Sequence, residues 1–130
     1  MLTIIERDDE SLIDAGRIGW CEWYPYDAYR QEAEALGARV GDCGIDYAIG
    51  DLAAIARGLG TQLIAALVSE VRRHHPACGV IVDPDANNVA SRRVLERNGF
   101  SLVAVRPVAS ELNDNPMAIY RLAGDNDQAA

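Results

Sequence analysis

The chain has 130 residues, 49% of them apolar, enough for one buried core and too few for two independent domains. Its formal net charge of −8 repels phosphate backbones and disfavours a nucleic-acid partner, while it suits a cationic small molecule as well as plain solubility. No apolar run reaches the length of a membrane span, and Met1-Leu2-Thr3-Ile4-Ile5-Glu6 lacks the basic region and long apolar stretch of a signal peptide.

In chain order, Leu2 to Glu6 and Arg17 to Tyr24 read as strands, with Asp8-Asp9-Glu10 and Asp14-Ala15-Gly16 as polar turn material between them. Tyr26 to Leu36 reads as a short helix stopped by Gly37. Gly44 to Ile49 is a strand with Ile45, Tyr47 and Ile49 on one face and Asp46 on the other. From Thr61 to His74, Leu63, Ile64, Leu67, Val68 and Val71 make a helical apolar stripe. Val80-Ile81-Val82 is a buried β-branched run. Asn88 caps a helix running to Arg97, where Asn98-Gly99 supplies the stop. Phe100 to Arg106 and Met117 to Leu122 form a final antiparallel pair. The order predicts a mixed α/β sheet.

Arg57-Gly58-Leu59-Gly60-Thr61 lies between a strand and the amphipathic helix. Glycines let the backbone approach a ligand there, and the unpaired first N–H groups of the helix, with its dipole, favour a pyrophosphate. The third glycine of a dinucleotide fingerprint is absent, and no Gly-Lys-Ser/Thr of a P-loop follows. On these residues alone, a ligand site and an ordinary turn stay equally open.

A second segment, Asp83-Pro84-Asp85-Ala86-Asn87-Asn88, leads into a helix ending Glu96-Arg97-Asn98-Gly99-Phe100. The two segments in this order resemble the GNAT acetyltransferase superfamily, which has a glycine-rich loop before a helix, then a strand, then an Asn-led helix closing on Gly-Phe. More narrowly, Gly44-Ile45-Asp46, Arg57 to Thr61, Leu67-Val68, Asp83-Pro84, Asn88 and Gly99-Phe100 resemble the aminoglycoside 6′-N-acetyltransferases. The resemblance implies an α/β (α+β) fold with a mixed, mostly antiparallel central sheet, a parallel splayed pair and flanking helices. It makes residues 1–122 an acyl-CoA N-acyltransferase-like domain and 123–130 a disordered tail.

The resemblance further implies acetyl-CoA as co-substrate, with no metal. The pyrophosphate would rest on backbone N–H groups of Arg57, Gly58, Leu59, Gly60 and Thr61, and Asn88 would lie beside the pantetheine arm. Most of the superfamily has Gln or Arg three positions before the first glycine; here Ile55 stands there, and Arg57 supplies the positive charge.

Transfer to an amine needs a neutral nitrogen, so a carboxylate or a water chain must take the ammonium proton. Asp46 is the candidate base, by likeness to the aminoglycoside enzymes. Asp83 matches an acid that holds a substrate amino group, or else is a turn residue before Pro84. Glu22 lies where the family places a polar acceptor contact, or else on a solvated strand face.

Two departures stand out. Many GNAT enzymes carry a tyrosine four positions before the Gly of Gly-Phe to protonate the departing thiolate. Leu95 occupies that position, and Tyr120 is a weak substitute. The family's opening elements, which wall the acceptor site, have little room before Leu2, so a homodimer is expected, with Trp20, Trp23 and Tyr24 near the contact. Trp20, Trp23, Tyr24 and Tyr26 could also form a stacking platform. His74-His75 suits a helix C-terminus rather than a metal. Cys21, Cys43 and Cys78 lack metal or redox spacing and lack a His-Asp setting, which fits reduced thiols in the cytoplasm and no nucleophile.

The reading is acetyl transfer from acetyl-CoA to a primary amine of a cationic small molecule, such as an aminoglycoside. The alternatives are a polyamine, siderophore amine or protein lysine as acceptor, or a non-catalytic acyl-CoA-binding or ligand-sequestering module. No membrane partner is expected.

Overall fold

The computed structural model describes residues 3–7, 10–14, 19–49, 59–108 and 115–128. Strand β1 (Thr3–Arg7) pairs antiparallel with β2 (Glu10–Asp14), in register from Thr3↔Asp14 to Arg7↔Glu10. Glu10 and Asp14, expected in turns, thus begin and end a strand. The ladder to β1 satisfies the backbone of residues whose own side chains favour turns, so pairing outweighs local preference.

The main sheet has the order β3-β4-β5-β7-β6, from β3 (Gly19–Pro25), β4 (Cys43–Ile49), β5 (Val80–Val82), β6 (Ser101–Arg106) and β7 (Met117–Leu122). Strand β4 pairs with antiparallel β3 along its whole length, from Gly19↔Ile49 to Pro25↔Cys43. Against parallel β5 it pairs only at Cys43↔Val80 and Gly44↔Ile81. Beyond those two positions the strands part. The remaining pairs, β5 with β7 and β7 with β6, are antiparallel. This is the mixed, mostly antiparallel sheet with one parallel pair that the sequence leads one to expect.

The segment expected as one helix from Tyr26 is two pieces, a 3-10 turn Tyr26–Ala28 and helix α1 (Arg30–Leu36). The break falls at Tyr29, whose φ of −135° and ψ of 66° are not helical. Helix α1 ends on Gly37 in the left-handed region at φ 74°, a conformation open to glycine with little strain.

Helix α2 (Leu59–His74) buries Leu63, Ile64, Leu67 and Val71, the predicted stripe. It starts two residues earlier than expected, so Leu59 and Gly60 belong to its first turn. Helix α3 (Val89–Arg97) is capped by Asn88, whose side-chain oxygen accepts from the Ser91 N–H at 3.1 Å. None of the helices among the described residues is long and apolar enough to cross a membrane.

The sheet has two apolar faces. On one, Trp23, Cys43, Ile45, Val80 and Tyr120 pack with Leu63, Ile64 and Leu67 of α2 and Leu95 of α3. On the other, Tyr26, Ile81, Met117 and Ile119 pack with Leu36 of α1 and Val108. Leu95 and Tyr120 are both fully buried. The Tyr120 hydroxyl accepts from Arg92 Nε at 3.0 Å and donates to Glu96 at 3.2 Å, so it is held against α3. Trp23, expected on a platform with Tyr24 and Tyr26, lies on the opposite face from them. Its ring packs on His74 and His75, with centroids 5.2 and 5.4 Å away. His74 also meets Glu70 at 3.2 Å.

Asp125–Gln128 forms a 3-10 turn, and Arg121 binds its Asp127 at 2.6 Å. Arg121 also grips fully buried Asp42 through two nitrogens, at 2.8 and 3.1 Å. A basic residue on β7 thus ties the tail to the loop before β4, a partner that composition alone does not reveal.

Candidate active site

Strand alternation decides where the predicted acids lie. Asp46 of β4 stands directly opposite Glu22 of β3, and Gly44 opposite Tyr24. Residues in directly opposed antiparallel positions share a face, so Glu22, Tyr24, Gly44 and Asp46 all lie on the α1 side. Asp83 follows β5 directly, two residues beyond Ile81 of that same face.

Aromatic hydroxyls join these carboxylates. Tyr24 is hydrogen-bonded with Asp46 and Tyr26, and both Asp46 and Asp83 act electrostatically on Tyr26. Burial, then the neighbouring negative groups, push the Tyr24 hydroxyl well above the usual phenol range. Burial does the same for Tyr26, with Asp83, Asp46 and Glu32 adding to it and its bond with Tyr24 opposing it. The rings of Tyr24, Tyr26 and Tyr29 meet edge to face, Tyr24 lying 5.3 and 5.4 Å from its two neighbours.

Gly44 makes this arrangement possible. A Cβ there would lie 2.5 Å from the Tyr24 ring and 2.8 Å from the Tyr26 ring. Both rings therefore sit over the bare backbone of β4. A glycine inside a strand is the one sequence signal that could point here, since it often marks a close approach of another group. The bond of Tyr24 to Asp46 has no such signal.

The opposite face carries the other candidates. Gly60 is buried in the first turn of α2, and Thr61 follows it. Thr61 Oγ1 is buried with no hydrogen-bond partner among the described residues. Its carbonyl accepts from Asn98 Nδ2 at 3.2 Å, so the end of α3 fixes the start of α2. A buried hydroxyl without a partner among the described residues, at the N-terminal end of the described helix, fits an anionic phosphate that would complete its bonding. Arg57 and Gly58 lie outside the described residues, and of Leu59 only the backbone is described. Asn88 is engaged as the α3 cap by its side-chain oxygen.

One side-chain bond bridges the region where β4 and β5 have parted. The Tyr47 hydroxyl, past the last β4–β5 pair, is hydrogen-bonded with the Ser91 hydroxyl on α3. Burial raises the Tyr47 hydroxyl above its usual range, partly offset by this bond. Leu95, by contrast, projects into the core with no polar atom. The predicted residues therefore form two groups on opposite faces of the sheet. Glu22, Asp46 and Asp83 gather on one, Thr61 and Asn88 on the other, with the parted strands between them.

Residues 11–107 match the family model described as an acetyltransferase (GNAT) domain. Over 82 residues the chain is 33% identical to a lysine N-acyltransferase, MbtK, of Mycobacterium tuberculosis, covering 62% of this chain and 37% of that protein. The chain thus spans well under half the length of the curated relatives it matches. Aminoglycoside acetyltransferase AAC(6′)-Ib, solved in complex with coenzyme A, superposes with a TM-score of 0.65 at 21% identity, covering 93% of this chain and 69% of that one. A Bacillus halodurans protein superposes with a TM-score of 0.71 at 21% identity, covering 93% of this chain and 62% of that one.

Proposed function

Because the chain belongs to the GNAT acetyltransferase family, we propose that it transfers an acetyl group from acetyl-CoA to a primary amine of a cationic molecule. The observation that carries this reading is the gathering of Glu22 and Asp46 at one cross-strand position, with Asp83 on the same face beside the parted strands. Several carboxylates on one face attract an ammonium and can accept its hydrogen bonds.

In this reading the thioester enters on the α2–α3 side, its pyrophosphate at the start of α2 around Gly60 and Thr61, with Arg57 and Gly58 as further contacts. Asn88 lies along the pantetheine arm. The amine is held on the α1 side by Glu22 and Asp83. Asp46 takes the ammonium proton, and Tyr24 orients Asp46 through its hydroxyl. The freed nitrogen lone pair then attacks the thioester carbonyl, and the carbon–sulfur electron pair leaves with sulfur. The attacking nitrogen loses its second proton to water, and because Leu95 cannot protonate the sulfur, water or another hydroxyl delivers a proton there to give the thiol and the neutral amide.

A second reading of the acceptor rests on sequence identity. The chain is 33% identical to a lysine N-acyltransferase and 21% identical to the aminoglycoside enzyme, which favours a lysine-like amine over an aminoglycoside. We also propose a homodimer in a cytoplasmic setting. The exposed Leu102, Val103 and Val105 of edge strand β6 support the dimer, displacing the expected contact at Trp23, which is buried in the core.

The test is turnover of acetyl-CoA, read as free thiol release, across lysine derivatives, polyamines and aminoglycosides. Amine-dependent release is the expected result. Tight acetyl-CoA binding without release for any amine would leave a binding module in place of an enzyme.

A further inference from the structure

Two of the three cysteines meet at the closed end of the parting strands. Cys43 opens β4, and its N–H donates to the Gly79 carbonyl at 2.9 Å. Its register partner is Val80, and Cys78 lies two residues before that partner, which returns its side chain to the same face. The two side chains are hydrogen-bonded to one another and are packed in one apolar cluster. Both thiols are free and buried.

Their surroundings differ. Cys43 is enclosed, and its partner bond and burial hold its thiol above the usual range. Cys78 lies beside Cys43 and near the Arg72 guanidinium, and both lower its thiol despite burial. The C-terminal segment covers it. Arg72 donates to the Ala123 carbonyl at 2.7 Å, and Gly124 lies so close to the Cys78 carbonyl that a side chain there would overlap it.

We propose that Cys43 and Cys78 form a reversible disulfide site, with Cys78 the attacking thiol and a small peroxide the oxidant. The Cys78 thiol releases its proton, the thiolate attacks one oxygen of hydrogen peroxide, the O–O bond breaks, and the departing hydroxide takes that proton to leave as water, so a sulfenic acid and one water result. The Cys43 sulfur then attacks the sulfenic sulfur, the S–S bond forms, and the hydroxyl leaves as a second water with the Cys43 proton. Two thiols and one peroxide become one disulfide and two waters. A dithiol reductant reverses the step. The bond would staple the start of β4 to the approach of β5, leaving the parted end free. Contact between the partners favours this outcome over oxidation of a single sulfur. Burial, which makes most core cysteines inert, sets the rate, and the covering segment 123–124 is the door.

Trypsin separates the three cysteines, since Cys21 lies in residues 18–30, Cys43 in 40–57 and Cys78 in 74–92. The full chain is treated with hydrogen peroxide under native conditions, alkylated, and mapped without reduction. The expected result is a mass loss of two hydrogens, a linked 40–57/74–92 peptide, alkylated Cys21, and recovery of all thiols with dithiothreitol. Cys21→Ser should behave as the parent does, and Cys43→Ser should stop at singly oxidised Cys78. Three alkylated cysteines after treatment would overturn the proposal, as would a bridge through Cys21 or over-oxidised Cys78 without a bridge. If Cys43→Ser does not fold, the parent and Cys21→Ser maps decide alone.

Discussion

Glu22 on β3 and Asp46 on β4 are direct cross-strand partners, two carboxylates at one position of the sheet. Two acids side by side on one face offer an ammonium more than one carboxylate oxygen at once.

Neutralising either acid should damage a different part of the reaction. Glu22→Gln should raise KM for the amine with kcat nearly unchanged. Asp46→Asn should lower kcat by roughly 10²- to 10⁴-fold as the loss of a general base. Acetyl-CoA affinity should stay put in both. Titration calorimetry with steady-state kinetics checks this, and unchanged constants for Asp46→Asn would make it a strand residue only.

The buried Thr61 hydroxyl sets up an opposite pairing of effects. Thr61→Val removes a polar atom that has no partner among the described residues, so the free fold should be as stable as before or more so. Acetyl-CoA should bind about 3- to 10-fold more weakly, matching one lost hydrogen bond. Titration calorimetry reads this directly. Equal affinity would show that the hydroxyl faces protein and not ligand.

The tyrosines around Asp46 predict sensitivity to alkali. Tyr24 and Tyr26 keep their protons in the folded state well above the ordinary value of 10.0, whereas the unfolded chain loses them near it. The native state then holds more protons than the unfolded one. Stability is thus fully present below about pH 10 and falls as pH rises past it, by at most about 1.4 kcal/mol per pH unit for each tyrosine. Urea midpoints between about pH 9 and 12 should fall along that slope, less steeply in Tyr26→Phe. Phenolate absorbance from these rings appearing with the fold intact would contradict the account.

Asp42 is the buried half of a two-nitrogen grip by Arg121. Asp42→Asn keeps the size and leaves a cation facing a neutral amide, so the fold should lose on the order of 3 kcal/mol. Chemical denaturation measures this, and a loss within experimental scatter would reduce the pair to ornament. The neighbouring Asp127 is held below its usual value of 3.8 by Arg121. Its contribution is therefore present above about pH 4 and is lost only as pH falls through that lowered value.

Much of this was legible in the sequence because it follows from periodicity. The α2 stripe, the buried Val80-Ile81-Val82 run and the Asn88 cap are local patterns, and each appears where expected. The opposition of Glu22 and Asp46 was not local. It depends on the β3–β4 register, which a single sequence does not fix. The Asp42–Arg121 grip spans most of the chain and has no pattern at all. Tyr47 reads as a core residue by alternation, and its reach to Ser91 emerges only once α3 is placed over the parted strands. The Cys43–Cys78 contact was hidden by spacing, since the parallel β4–β5 crossover brings together residues far apart in the chain.

The position of β7 has a consequence for biosynthesis. Met117–Leu122 is made after β6 yet is inserted between β5 and β6, so the sheet stays in two pieces until those residues clear the ribosome. A nascent chain halted before Met117 would display two open edges at once. The same geometry makes the segment 115–128 separable in principle. Supplied as a free peptide to a chain ending near residue 108, it would have to pair with β5 and β6 together and so join the two pieces, and acyl transfer would then report on whether the two fragments had met.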